Sequence, residues 1–246
     1  MKKITAYIGS RRGKNSNTYK FTKEILEATK KKLESVEYEI ITPDQIDIKP
    51  CTGCKSCFSK EECAFDKYDD MGILRQKLID SDFVIFGSPV YAHSISGDLK
   101  TFFDRTSYWM HLMRLHGKGS MVLSTTGTNG HTTAIDYMSH IVHYFGTKLV
   151  AKYNCAIGYP VQFSNKEWME NTTNLLSDEI VKTLNNPIES DKNLEAVFKA
   201  MKNMMSVYRE HNIESGELDY WEKSGLINCD SFAEFLEKDN IKQSCI

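Results

Sequence analysis

Short apolar runs alternate with amphipathic segments over the first 160 residues of the chain. Between the apolar runs, apolar residues recur at helical spacing, as in residues 17–34, where Phe21, Ile25 and Ala28 fall on one face. Apolar strands that alternate with helices are typical of a parallel sheet with helices on both faces. The alternation therefore predicts an α/β fold built on five parallel strands. The apolar runs read KITAYIG, VEYEII, FVIFGSP, GSMVLSTTG and KLVAKYNCAIG.

The number of strands and the length of this region narrow the fold further. Five strands within about 160 residues fit a flavodoxin-like sheet better than a larger doubly wound sheet. Beyond Pro160 the sequence is charged and contains no convincing strand, and its pattern indicates two or three helices. We therefore expect a flavodoxin-like domain at 1–165, with a cysteine-rich loop at 51–63, and a helical C-terminal extension at 166–246.

One segment of this extension, NLEAVFKAMKNMMSVYRE, has an apolar helical face. We expect the face to pack against the flavodoxin-like domain or against a second subunit. The alternative is a lid or a partner surface capped by Trp221, because methionine side chains adapt to varied partners. The face consists of Leu194, Val197, Met201 and Met204 or Met205.

Composition and charge limit the partners of the chain. Hydrophobic residues make up 41% of the 246 residues, enough for a sizeable core, and the formal net charge is −2. A chain this close to neutrality gives no reason to expect a nucleic acid or an anionic membrane as partner. No apolar run reaches the roughly 18 residues of a membrane span. The apolar stretch at the N-terminus is too short for a signal peptide, so we expect a cytoplasmic protein.

The first strand runs into the loop GSRRGKNSNT, which leads directly into a helix. In open parallel sheets the ligand binds beyond the carboxyl ends of the strands, so residues of this loop are candidate ligand contacts. The loop has neither Walker A nor Gly-x-Gly-x-x-Gly spacing. Its donors before a helix N-terminus suit a phosphate monoester, whereas simple helix capping by Ser16 or Asn17 is the alternative. The candidate donors are Ser10, Ser16, Asn17 and Thr18, with charge from Arg11 or Arg12.

The third and fourth strands run into two further candidate loops. GSPVYAHSISGDLKTFFDR places the aromatic Tyr91 where it can lie beside a flat ring; packing within the protein is the alternative. STTGTNGH contains small residues that allow a ligand to approach the backbone closely. His131 in this loop is a candidate ligand contact or proton donor, although a lone loop histidine is more often an exposed neighbour of a helix cap.

Jointly, the three loops resemble the three FMN loops of the NADPH-dependent FMN reductase family, over residues 1–160. The resemblance implies a flavin-dependent oxidoreductase that has FMN as its cofactor and needs no catalytic acid or base from a side chain. The implied FMN-binding residues are Ser10, Arg12, Ser16, Asn17 and Thr18 in the first loop, Pro89, Val90, Tyr91, His93 and Ser94 in the second, and Thr126, Gly127, Gly130 and His131 in the third.

Four of the chain's seven cysteines lie within the thirteen residues CTGCKSCFSKEEC. A disulfide would use two of them and leave two idle, and a reducing compartment disfavours it. Four thiolates suit tetrahedral zinc, but structural zinc sites usually join two Cys-x2-Cys pairs from separate segments. The run Cys-x2-Cys-x2-Cys matches the way ferredoxins hold an iron–sulfur cluster. Thiols that are redox-active, or that hold nothing, are the remaining alternative.

The motif and its place after the second strand resemble those of the iron–sulfur flavoproteins, in which a compact cysteine motif carries a 4Fe–4S cluster. The resemblance also implies a homodimer or homotetramer, with the cluster of one subunit near the flavin of another. We expect the other cysteines, Cys155, Cys229 and Cys245, to be buried or incidental. The implied cluster ligands are Cys51, Cys54, Cys57 and Cys63.

These features lead to three hypotheses for the function. The first is an FMN-dependent oxidoreductase or electron-transfer protein that also carries a 4Fe–4S cluster. The second is an NAD(P)H-dependent FMN or quinone reductase without a cluster, and the third is a zinc-stabilised binding module with the same fold. NAD(P)H or ferredoxin is the expected transient electron donor, and a redox partner protein or a small molecule is the expected acceptor.

Overall fold

A five-stranded parallel sheet forms the centre of the protein, whose computed structural model describes residues 1–244. The strands are β1 (Lys2–Ile8), β2 (Val36–Ile41), β3 (Phe83–Pro89), β4 (Gly119–Thr126) and β5 (Lys148–Ala156). Their order in the sheet is β2–β1–β3–β4–β5, and every neighbouring pair is parallel. This is the flavodoxin-like order, in which ligands bind where the winding reverses between β1 and β3. The predicted fold class is confirmed.

Helices cover both faces of this sheet and continue beyond β5. Within residues 1–244 no helix combines the length and the apolarity that a membrane span requires. The helices are α1 (Asn17–Lys32), α2 (Ser56–Lys60), α3 (Met71–Ile79), α4 (Gly97–Arg105), α5 (Trp109–Leu112), α6 (His131–Tyr144), α7 (Lys166–Asn185), α8 (Lys192–Glu210), α9 (Gly216–Ser224) and α10 (Phe232–Ser244). Single 3-10 turns lie at Gly13–Asn15, Asp66–Tyr68 and Leu226–Asn228.

Two hydrophobic cores lie on opposite faces of the sheet. One core joins the strands to α1 and α7, through residues such as Phe21 and Ile180. The other joins the strands to α3, α4, α5 and α6, through residues such as Phe102 and Phe145. The division at residue 165 stays a prediction, but α7 packs against α1 and therefore completes a layer of the sheet domain.

The helices α8, α9 and α10 extend the second core. Trp221 is fully buried, and its ring stacks on Phe198 with 5.5 Å between ring centroids. The apolar face predicted for α8 is buried at Leu194, Val197 and Met205, so it packs against the protein as expected. Among the described residues, the extension therefore contributes to the main core and is not a separate body.

The expectation of two or three helices after residue 166 was too low, because four α-helices lie between Lys166 and Ser244. Side chains of Asn165, Asp191 and Ser215 each cap a new helix by accepting a backbone N–H. Gly225, with φ of 88°, ends α9. Of the cysteines considered above, Cys245 lies outside the described residues.

Residues 97–113 form two short helices and not one continuous helix. α4 ends at Arg105, and α5 begins only at Trp109. The hydroxyl of Thr106 donates to the carbonyl of Phe102 at 2.9 Å, a local bond that competes with continuation of the helix. The break makes Arg105 the last residue of α4, at the end of the helix that faces the cysteine-rich loop.

Candidate functional site

The loop between β1 and α1 presents unpaired backbone donors. Ser16 caps α1, because its Oγ accepts the N–H of Tyr19 at 3.0 Å. The N–H groups of Asn17 and Thr18 have no hydrogen-bond partner among residues 1–244. A helix N-terminus with unpaired N–H groups attracts anions. The structure thus combines the two alternatives: Ser16 is a helix cap, and the helix still has donors for a phosphate.

The side chains of this first loop differ in how available they are. The hydroxyl of Thr18 is fully buried and shares a 2.6 Å hydrogen bond with the hydroxyl of Thr125, so Thr18 can offer a ligand its N–H but not its side chain. Ser10 is buried as well, whereas Arg12 is exposed. Arg11 forms an ion pair with Asp98 at 2.9 Å, which links the loop to the start of α4.

The loop after β3 forms a tight turn that exposes an aromatic ring. Tyr91 and Ser94 exchange backbone hydrogen bonds of 3.0 and 2.9 Å. Ala92 and His93 between them have φ of 49° and 61°, as in a two-residue hairpin turn. Tyr91 is 54% exposed, so it is not packed within the protein, and the ring is available to a ligand. Pro89 and Val90 precede the turn, and both are half-buried.

The loop after β4 meets the turn after β3. Gly130 has φ of 82°, and a Cβ added to it would lie 2.8 Å from the Cα of His93, so only glycine fits there. Thr126 is buried, and its hydroxyl donates to the carbonyl of Asn129 at 2.7 Å, whereas Gly127 is exposed. His131 follows at the start of α6, and its Nδ1 is buried without a hydrogen-bond partner among the described residues.

The structure thus gathers the predicted residues of three loops at the carboxyl edge of β1, β3 and β4. Beside His131, a cavity of about 430 Å³ opens toward β5. Its lining includes Asn154, Tyr159 and Gln162, which the sequence reasoning did not single out. The position of Asn154 near the end of β5 could have indicated it, because side chains at carboxyl ends of parallel strands face the ligand.

The cysteine-rich loop is closed at its base by hydrogen bonds. We call residues 47–49 and 66–70, which flank it, the neck of the loop. Within the neck, Asp47 and Asp70 are joined by two 2.9 Å bonds, one from each backbone N–H. The backbone N–H of Lys49 donates to Asp69 at 3.0 Å. The neck therefore fixes where the loop leaves the body of the protein and where it returns.

Arg105 fastens the neck from the end of α4. Its side chain is fully buried; Nη1 donates to the carbonyl of Lys49 at 2.8 Å, and Nη2 donates to Asp66 at 3.0 Å. It also forms an ion pair with the buried carboxylate of Asp69. Burial acts to raise the pKa of Asp69, but hydrogen bonds, led by that of Arg105, hold this pKa below its ordinary value. Arg75 pairs with Asp66 on the other side.

The four cysteines of the loop are free thiols. Cys51 and Cys54 are exposed, and Cys57 and Cys63 are half-buried. Burial, with a smaller contribution from Cys63, raises the pKa of Cys57 to about 11. Cys57 lies on α2, which stands between two residues with left-handed backbone, Lys55 and Glu61.

The donor set of this loop has the chemistry of an iron–sulfur site. It offers four sulfur ligands that are free of disulfides on one segment, and the guanidinium groups of Arg75 and Arg105 interact electrostatically with Cys63. Within the part of the chain that the structure describes, however, no three such side chains converge as metal ligands. Cys51 and Cys54 lie at the surface and take no part in the hydrophobic cores.

The helix α4 joins this loop to the carboxyl edge of β1, β3 and β4, where the three candidate ligand loops meet. We call this edge the three-loop edge. It begins at Gly97, where Asp98 binds Arg11 of the first loop, and it ends at Arg105 in the neck. Nine helical residues rise about 12 Å from the first Cα to the last. One short, rigid element thus connects two clusters of candidate functional residues.

Comparison with known proteins decides the family. The sequence profile of NADPH-dependent FMN reductases matches residues 2–160. The chain belongs to this family. The protein is accordingly an FMN-dependent oxidoreductase, as the resemblance of its three loops implied. The unpaired N–H groups of α1, the exposed ring of Tyr91 and the unpartnered Nδ1 of His131 fit a phosphate and a flat, polar ring at this edge.

Two relatives resemble this chain along most of its length. An iron–sulfur flavoprotein of Archaeoglobus fulgidus is 25% identical over 214 residues, which cover 83% of this chain and 92% of the relative. An iron–sulfur flavoprotein of Clostridioides difficile is 26% identical over 230 residues, which cover 91% and 99% of the two chains. The matches therefore include much of the extension beyond the family profile.

A solved structure supports the fold. The apo form of the NADH:FMN oxidoreductase EMOB superposes with a TM-score of 0.55 at 20% identity, over 78% of this chain and 94% of that chain. At this identity the likeness concerns the arrangement of strands and helices, which agrees with the flavodoxin-like order observed here.

Proposed function

We propose that the protein is a two-centre electron carrier. In this proposal, residues of the three-loop edge bind FMN, and Cys51, Cys54, Cys57 and Cys63 hold a 4Fe–4S cluster. The observation that carries the proposal is the position of the four free cysteines, on one loop whose neck is fastened by the helix that starts at the three-loop edge. The names of the two relatives, both iron–sulfur flavoproteins, support it.

The chain's part in this function is binding and placement. The N–H groups of Asn17 and Thr18 would hold the phosphate, Tyr91 would lie beside the flavin ring, and the unpaired Nδ1 of His131 would be available to that ring. When bound, FMN accepts two electrons and can release them singly, whereas a 4Fe–4S cluster carries one electron at a time. Such chemistry requires no acid or base from the protein, in keeping with the lack of a catalytic residue among our predictions.

The partners follow from the same proposal. NAD(P)H or ferredoxin would deliver electrons transiently, and a redox protein or a small molecule would accept them. Tyr91 and Tyr159, which are 54% and 81% exposed near the three-loop edge, offer aromatic surface that a docking donor or a second subunit would cover. We propose a homodimer or homotetramer on this basis. A cytoplasmic location stays a prediction.

The decisive experiment measures iron, acid-labile sulfide, zinc and FMN in protein purified without oxygen. About four irons and one FMN per chain would support the two-centre carrier. FMN without iron would favour the alternative reductase whose cysteines hold no cluster, and zinc in place of iron would favour a structural metal site.

The ligand assignment makes a specific prediction for Cys54→Ala. We expect this variant to lose the cluster while it keeps its fold and its FMN, because Cys54 is exposed and supports no part of the core. Iron content and FMN fluorescence after release would measure the two effects separately. Thr52→Ala, an exposed position in the same loop, is the matched control and should keep its iron. Iron at the wild-type level in Cys54→Ala would contradict the assignment.

A further inference from the structure

Helix α9 of the C-terminal extension lies directly against α2, the helix that carries Cys57. A Cβ added to Gly216, the first residue of α9, would lie 2.6 Å from the carbonyl oxygen of Ser59 and 3.2 Å from the N atom of Lys60. The backbones of α9 and α2 therefore touch with no side chain between them. Lys223 near the other end of α9 lies 3.8 Å from Glu61, the residue after α2.

The position of α9 is fixed from the side of the core. Trp221 is fully buried, and its Nε1 donates to the carbonyl of His111 in α5 at 2.8 Å. The buried carboxylate of Glu217 bonds to His111 Nδ1 at 2.5 Å. The ring of His111 in turn packs against Phe58 of α2, with 5.3 Å between ring centroids. The three helices α9, α5 and α2 thus form one contact chain that leads from the core to the cysteine loop.

By contrast, α2 has little support of its own. It has five residues, none of them fully buried, and its N-cap residue Lys55 makes no side-chain capping bond. A helix of this length is not stable in isolation, because nucleation costs more than so few hydrogen bonds return. Contacts outside the loop must therefore set the orientation of α2. Among the contacts described above, the backbone contact with α9 is the shortest.

We infer that α9 is a positioning element for the cysteine loop and that Gly216 is its critical residue. The helix holds α2, and with it Cys57, in a fixed place from which this thiol can join the other three as a ligand. The inference rests on the proposed function, in which the four thiols hold a cluster. In this inference the extension supports the cysteine loop and does not serve as a lid over the flavin.

The test compares Gly216→Ala with Gly72→Ala. Alanine favours a helix over glycine at both positions, so neither change should weaken its own helix. At Gly72 a Cβ would meet the Cβ of Asp66 at 3.7 Å and its carbonyl oxygen at 3.9 Å, both ordinary contacts. At Gly216 it would push the backbone of Ser59 away. We expect Gly216→Ala to lose iron to a chelator about 10-fold faster than wild type, as for loss of an outer partner of a metal ligand, with its FMN content unchanged.

Further measurements distinguish a role in positioning the cysteine loop from a general loss of protein stability. The reduction potential of the residual cluster should shift in Gly216→Ala, because solvent exposure helps to set this potential. If this variant does not fold, Glu217→Gln, which keeps the side-chain size but weakens the bond to His111, should show the same effects in milder form. Wild-type rates and potential in the folded variant would overturn the inference while the proposed function stands. Wild-type protein without iron would overturn both.

Discussion

Arg105 serves three acceptors on two stretches of chain. The carbonyl of Lys49 lies before the cysteine loop, and the carboxylates of Asp66 and Asp69 lie after it. A guanidinium group can do this because it presents several N–H donors in one rigid plane. A lysine at the same place would keep the charge but could not reach all three acceptors with the same geometry.

We predict that Arg105→Met is strongly destabilising. The change would leave the buried carboxylate of Asp69 without its cation, and breaking a buried pair in this way costs about 3–5 kcal/mol. Arg105→Lys should cost less, because the charge remains. Urea unfolding measures both. Lys100→Met, which removes an exposed ion pair with Asp104 on the same helix, is the control and should cost about 1 kcal/mol or less. A loss below about 1 kcal/mol in Arg105→Met would show that Asp69 finds other compensation.

The helix α1 illustrates how one element can serve stability and binding through different atoms. The Ser16 side chain satisfies the N–H of Tyr19, while the N–H groups of Asn17 and Thr18 stay unpaired. A change of the capping residue that preserves the cap but alters its charge can therefore separate the two roles.

We predict that Ser16→Asp preserves the stability of the FMN-free protein and weakens FMN binding. Aspartate caps a helix as well as serine does, so the free energy of unfolding should change by about 0.5 kcal/mol or less. The added charge would repel a phosphate at this helix end and lower the affinity about 10-fold or more. Fluorescence titration with FMN measures the affinity. Ser215→Asp, which adds the same charge at the cap of α9, is the control. Wild-type affinity in Ser16→Asp would place the phosphate elsewhere.

At the scale of helices and strands, the sequence was most informative where local pattern determines the outcome. All five strands could be predicted, because continuous apolar runs such as Phe83–Pro89 are buried on both faces. The break after Arg105 could not, because it depends on a side-chain bond from Thr106 that competes with the helix. The extra helix of the extension was missed because its start depends on a cap at Ser215.

At the scale of the whole molecule, α10 is attached to the sheet domain beside His116, in the segment before β4. The His116 ring packs edge-on against Phe235, and its Nδ1 lies 3.7 Å from Asp239. The pKa of His116 is lowered from 6.5 to about 4: burial is the largest cause, Lys118 and Arg114 act in the same direction, and the attraction of Asp239 opposes them. The folded protein therefore keeps this histidine neutral under conditions in which the unfolded chain protonates it.

We predict that stability falls as the pH is lowered from 6.5 to about 4, the two pKa values of His116 in the unfolded and folded states. Between them the unfolded state binds one more proton, so this residue contributes at most about 1.4 kcal/mol per pH unit. His116→Gln removes this contribution, and its unfolding free energy should depend less steeply on pH. Denaturant unfolding of both proteins across this range measures the difference. Equal slopes would show that His116 titrates alike in both states.

The residues that make up the candidate site could be predicted from the sequence, but the residues that hold the cysteine loop in place could not. The three loops and four cysteines stand at recognisable spacings, and the structure gathers the loops at one edge. The residues that hold the cysteine loop are distant in sequence: Arg105 lies 56 positions beyond Lys49. Gly216 lies farther still from α2. Such contacts leave no local periodicity in the sequence, so only the folded chain displays them.

The neck has a consequence for how the cysteine loop could gain or lose the cluster proposed above. No residue from 50 to 65 is buried, and the neck brings the two ends of this segment together. Of these residues only the half-buried Cys57 and Phe58 pack against a core, so the loop is largely an accessory to the sheet domain. Such a segment can open and refold as an independent local unit, at a lower free energy than global unfolding. Repair of a damaged cluster would then proceed on an intact scaffold, with the flavin edge undisturbed.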